Sequence, residues 1–196
     1  MKKITLLVTI AGLLIITQNS HAQNDSSGIY KTAADFQNKK LSYAINFKTE
    51  KHKIKSAMLF NNEEVKVKHQ GVNYSLKKSE TYGYRDMKGR DFRFVDGKEY
   101  RILNSYEPVL IYVYQHQAHS AKDISMGNYK PVYYFSLDAA SPVETLTLNK
   151  IKAAFPENHK LHDAVDAQFK TDADLYAYDN FHKMYKLNWI LKSTNK

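Results

Sequence analysis

The sequence predicts an α+β fold: a meandering antiparallel β-sheet of roughly seven to nine short strands, able to roll, followed by C-terminal helices packing on it. Three observations lead there. Between residues 41 and 137, short apolar–polar alternations recur between Gly, Asn and Asp turn signals. Inside that stretch, residues 81–104 (TYGYRDMKGRDFRFVDGKEYRILN) place Tyr82, Tyr84, Phe92, Phe94 and Tyr100 at strand spacing. Beyond residue 141 the apolar period lengthens to that of a helix.

The chain opens with Lys2 and Lys3, an apolar run over 4–16, and a polar stretch ending in Ser20-His21-Ala22. These are the three parts of a signal peptide over 1–22, cut between Ala22 and Gln23. The alternative is an uncleaved anchor, but the apolar run is short for a membrane span. The single mature domain, 23–196, is therefore expected to be periplasmic or secreted, with no transmembrane anchor after cleavage. It is strand-rich over 41–137 and helical over 141–192. With no cysteine in the chain, a lipid-anchored cysteine, disulfides, thiolate metal sites and cysteine nucleophiles are excluded. The formal charge of +9 falls to +7 once Lys2 and Lys3 are removed. The lysines are scattered, so solubility accounts for the surplus. Export and the lack of any binding motif speak against nucleic acid.

Each element has its own signal. Thr32 with Asp35 caps a short helix. Residues 41–47 alternate Leu41, Tyr43, Ile45 and Phe47 on one buried face. Short strands follow at 57–60, 65–69 and 72–77, with turns at Asn61-Asn62 and Gln70-Gly71. The outward Lys66 and Lys68 suggest an edge strand. In the meander, Met87-Lys88-Gly89 reads as a three-residue loop, pairing Tyr84 with Phe92, Tyr82 with Phe94 and Arg85 with Asp91. At Asp96-Gly97 two registers compete. A two-residue type I′ loop places Arg93 with Tyr100; a three-residue loop matches Phe94 with Tyr100. Aromatic burial of roughly 1.5–3 kcal/mol favours the second. Residues 109–114 are apolar on both faces and read as a central strand. A polar loop over 118–128 precedes a strand at 132–137. Ser141-Pro142-Val143-Glu144 reads as a capping box opening a helix that ends at Phe155, before Pro156. Helices over 159–169 and 173–191 complete the chain, the last with Leu175, Tyr178, His182, Tyr185 and Trp189 on one stripe.

Three constellations could do chemistry. All four arginines of the chain, Arg85, Arg90, Arg93 and Arg101, lie in the meander. Arg85, Arg93 and Arg101 with Tyr82, Tyr84 and Tyr100 form a candidate ligand face, because arginine forks carboxylate or phosphate and tyrosine offers a flat face. The plainer reading is that Asp86, Asp91, Asp96 and Glu99 neutralise these charges. His159, His162, Asp163 and Asp166 span one helical face at metal-ligand spacing, though that face lies opposite Leu161 and Val165 and reads as solvated. His116 and His119 are a weaker pair in a loop. His182 between Tyr178 and Tyr185 suits acid–base or haem-ligand work, or a core histidine with a satisfied hydrogen bond. No nucleophile elbow, P-loop or dinucleotide fingerprint is present, and no cofactor is called for.

The segments GIYKTAADF, from Gly28, and YDNFHKMYKLNWIL, from Tyr178, resemble segments of uncharacterised small exported proteins of Gram-negative bacteria. The resemblance implies export, and neither an activity nor site residues. The sequence thus points to a non-catalytic binding or interaction module of the cell envelope. Its partner would be an acidic small molecule, a glycan or an envelope polymer. The competing class is an envelope hydrolase, or a metal- or haem-binding protein, using His182 or the His159/His162/Asp163/Asp166 face.

Overall fold

The computed structural model describes residues 26–46, 49–50, 54–56, 63–114 and 131–194. The signal peptide expected over 1–22, the strand expected at 57–60, the loop expected over 118–128 and the His116/His119 pair lie outside the described residues.

Eight strands make one antiparallel sheet. They are β1 (Ser26–Tyr30), β2 (Ser42–Asn46), β6 (Gly83–Arg85), β7 (Asp91–Val95), β8 (Lys98–Ile102), β9 (Leu110–Tyr114), β10 (Val132–Ser136) and β11 (Glu144–Thr145). Their order is β11-β10-β9-β8-β7-β6-β1-β2. From β6 to β11 this is sequence order, with short turns joining β6 to β7 and β7 to β8. A second sheet holds β3 (Ile54–Ser56), β4 (Glu64–His69) and β5 (Val72–Lys77). Helices α1 (Ala33–Gln37), α2 (Leu148–Ala154), α3 (His159–Gln168) and α4 (Lys186–Thr194) surround them, and β12 (Tyr178–Asp179) with β13 (Met184–Tyr185) forms a small hairpin before α4. The fold is α+β, as the change of period indicated.

Both faces of the large sheet are covered. Residues directly opposite on neighbouring strands share a face, so Phe92, Arg101 and Val113 point one way. On that side Ile111 and Phe135 pack with Leu161, Val165, Leu187 and Ile190 of the helices. Further along the same side, Val65 and Val67 of the small sheet pack with Ile29, Tyr84, Phe92 and Phe94. Arg101 therefore stands on the strand between the two covering layers. On the other side Tyr30, Tyr100 and Tyr112 enclose Phe36 and Ala139.

This double cover corrects the register expected at Asp96-Gly97. Arg93 pairs with Tyr100 and Phe94 with Glu99, the two-residue loop. Asp96 and Gly97 have φ of 50° and 72°, the paired positive values of a type I′ turn. Tyr100 and Phe94 are buried on opposite faces, so aromatic burial does not discriminate between the registers and the turn decides. The three-residue loop before it is as expected: Tyr84 pairs with Phe92, Arg85 with Asp91, and Gly89 has φ 71°. The Phe94 amide donates to Tyr82 O, 2.8 Å, but the Tyr82 ring turns away to stack on Phe36, 5.2 Å between centroids.

Other expectations change for local reasons. Tyr43 has φ 52°, beside a bulge in the β1–β2 register. This sends Leu41 toward the Phe36 cluster and Tyr43 toward the Tyr84 cluster rather than onto one face. Strand β4 is the centre of its sheet, not an edge, and Lys66 and Lys68 simply face water. No helix starts at Ser141. The Asp138 carboxylate accepts from the amides of Ala140 and Ser141, and the chain runs on as β11 along β10. The helix begins instead at Thr147, whose Oγ1 accepts from Lys150 N, 3.2 Å. The expected long last helix is broken. Asp179 accepts the amides of Phe181 and His182, making the hairpin turn that separates a 3₁₀ turn at Asp172–Tyr176 from α4.

Candidate functional site

The four arginines have four environments. Arg85 is buried and forks onto Asp91, Nε donating to Oδ1 at 2.8 Å and Nη2 to Oδ2 at 3.0 Å. Arg90 pairs with Asp86 four residues back, Nε donating at 2.7 Å. Arg93 is buried and donates to neutral acceptors, Tyr112 OH and Ser141 O, both at 3.0 Å. Arg101 makes no ion pair and no side-chain hydrogen bond among the described residues, and its Nε is buried without an acceptor.

Arg101 borders a cleft of about 560 Å3. One wall is the turn after β8, residues 103–107; the other is the β12–β13 hairpin with Tyr178, Lys183 and Tyr185. Asn104 builds the first wall. Its side-chain amide donates to Val109 O and to Glu107 Oε2, and its Oδ1 accepts from Ile111 N. Asn188 of α4 clamps the same strand start, exchanging hydrogen bonds with both backbone groups of Val109. Glu107 Oε1 accepts from Tyr185 N at 3.3 Å, tying the walls together. Tyr178 and Tyr185 are cross-strand partners, with rings edge to face at 5.4 Å. Tyr178 is 48% exposed, so one aromatic face stays available at the mouth. Lys183, at φ 53°, adds a cation to the rim.

Electrostatics agree with the geometry. Burial pushes the Glu107 carboxyl up, against hydrogen bonds from Asn104 and the Tyr185 backbone. Burial also raises the Tyr185 hydroxyl, Glu107 adds to it, and the Arg101 charge opposes it. Beside the cleft, burial would raise the Asp91 carboxyl, but Arg85 and Ser105 outweigh it and hold it below the usual range. Ser105 Oγ donates to Asp91 at 2.6 Å and Tyr30 OH at 3.0 Å. Lys39 Nζ lies 3.8 Å from Asp91; burial lowers its pKa to about 8 against that attraction.

The expected ligand face is not one face. Arg85, Arg93, Tyr82 and Tyr100 lie with the buried side that holds Phe36, and Tyr84 with Arg101 on the other. Tyr84 stacks on Phe92 at 4.7 Å and donates to Glu99 at 2.6 Å; Tyr100 packs among Tyr112, Tyr114 and Tyr134. Only Arg101 of that set reaches the cleft unpaired. His162 Nε2 faces the carbonyls of Lys152 and Phe155 at the end of α2, and Asp166 pairs with Lys152. Among the described residues no three His, Asp or Glu side chains are grouped to hold a metal, so His159, His162, Asp163 and Asp166 do not converge. His182 is exposed rather than in a core stripe; its Nδ1 meets Asp179 Oδ2 at 2.7 Å and its ring lies on Trp189. Glu107, Asn104 and Lys183 carried no sequence signal as site residues.

The chain matches no protein-family model, no curated protein and no solved structure. No helix among the described residues is long and apolar enough to cross a membrane.

Proposed function

We propose that the protein is an exported, non-catalytic binding module of the cell envelope that takes a carboxylate-bearing ligand, such as an acidic sugar unit of a glycan or polymer, in the cleft at Arg101. One observation carries this reading: among the described residues Arg101 has a buried Nε with no acceptor, while Arg85 forks onto Asp91 and Arg90 pairs with Asp86. A buried donor left unmade costs about 1–3 kcal/mol, which a bound carboxylate returns through a bidentate, charge-assisted contact. Tyr178 at the rim suits the apolar face of a sugar ring, and Lys183 adds attraction. Export rests on the leader over residues 1–22. The hydrolase reading through His182 has less behind it, since its side-chain hydrogen bond goes to Asp179 and its ring lies on Trp189.

Thermal-shift titration with glucuronate and galacturonate tests the proposal, with glucose as the neutral control. The acids should raise the melting temperature of the wild type, raise it less in Arg101→Lys, and leave Arg101→Gln unmoved. An equal shift in Arg101→Gln contradicts it.

A further inference from the structure

The turn before β6 holds a second cation that the fold does not neutralise. Lys78 lies in the 3₁₀ turn Lys78–Glu80, pinned by its amide donating to Glu63 O at 2.7 Å. It is 6% exposed. Among the described residues its ammonium has no ion pair and no hydrogen bond; it stands 5.4 Å from the centre of the Phe94 ring. The nearest carboxylate in sequence, Glu80, is taken by Lys77 at 3.0 Å. Lys78 borders a cleft of about 460 Å3 with Lys31 and Arg93. Arg93 is itself 8% exposed and donates only to neutral oxygens. Two nearly buried cations without a carboxylate thus border one cavity, and Asp96 and Glu80 on its rim form no ion pair with either. The Lys78 stem is packed while its charge stays open to the cleft, and the ring contact supplies only part of what a counter-ion would.

We propose that this cleft is a second binding site, for a phosphoryl group. Arg93 has its fork turned to Tyr112 and Ser141, so a planar seat for carboxylate is missing. Lys78 acts as a point charge, which suits a tetrahedral oxyanion. The hydroxyl-bearing residues Thr32, Ser79 and Thr81 border the same space and offer donors to its remaining oxygens. The site lies toward the end of β7, whereas the Arg101 cleft borders that strand's start, so it stands independently of the first reading.

The test uses inorganic phosphate, with acetate at matched ionic strength, read by calorimetric titration and melting temperature. Phosphate should bind and raise the melting temperature, and acetate should do neither. Lys78→Met should weaken phosphate by about ten-fold or more. Lys78→Gln should show the same loss of phosphate affinity should methionine disturb the packing. Arg101→Gln should keep the full phosphate response. The proposal is overturned by no phosphate binding, by an equal response to acetate, by full binding in both Lys78 variants, or by loss of the response in Arg101→Gln alone.

Discussion

Asp91 receives both branches of the Arg85 fork, at 2.8 and 3.0 Å, with Ser105 and Tyr30 donating to the same carboxylate. The pair joins β6 to β7 at a buried position and holds Arg85 as a structural residue. Asp91→Asn leaves Arg85 and Lys39 buried without their counter-charge, which should cost about 3–5 kcal/mol. Urea unfolding checks it: the midpoint should fall at unchanged slope. A midpoint equal to wild type would show the carboxylate to be dispensable.

Lys39 gives the same cluster an alkaline signature. Its folded pKa is lowered to about 8 by burial, whereas an unfolded lysine titrates near 10.4. Below about pH 8 both states are charged and the burial cost stands. Between there and the unfolded value the unfolded chain binds more protons, so stability rises with pH. Relative to Lys39→Met, the wild type should gain on the order of 2 kcal/mol between pH 8 and 10. The Tyr30 hydroxyl is common to both proteins and cancels. Parallel stability curves for the two would contradict the assignment.

The start of α2 separates two capping candidates. Thr147 Oγ1 accepts the Lys150 amide, while Ser141 sits in the Asp138 turn. Thr147→Ala should cost about 1 kcal/mol, and Ser141→Ala less than about 0.5 kcal/mol. Thermal melts of the two variants decide it, and the reverse ranking would restore a helix start at Ser141.

Much of the fold was legible because local signals and burial agree there. The Met87-Lys88-Gly89 loop, the Tyr84–Phe92 pair and the Thr32/Asp35 capping box follow from turn and cap chemistry alone. Where the sequence misled, two patterns were compatible with the same spacing. Tyr178 and Tyr185, seven residues apart, fit two helical turns as well as a hairpin, and only the capture of two amides by Asp179 selects the hairpin. The confinement of the arginines to the meander was visible, and so was Arg85 opposite Asp91. That Arg101 lacks a partner among the described residues was not, because it depends on two covering layers meeting over β8. Lys78 shows the same limit: Glu80 two residues on serves Lys77 instead.

Because the chain has four arginines, its Nε–Hε NMR signals number four, assignable by single substitutions. Titration with glucuronate, followed in that spectrum, addresses the cleft most directly. The Arg101 signal should move progressively and saturate, while those of Arg85 and Arg93, already bonded within the fold, stay in place. An immobile Arg101 signal, or equal movement of all four, would contradict binding at Arg101.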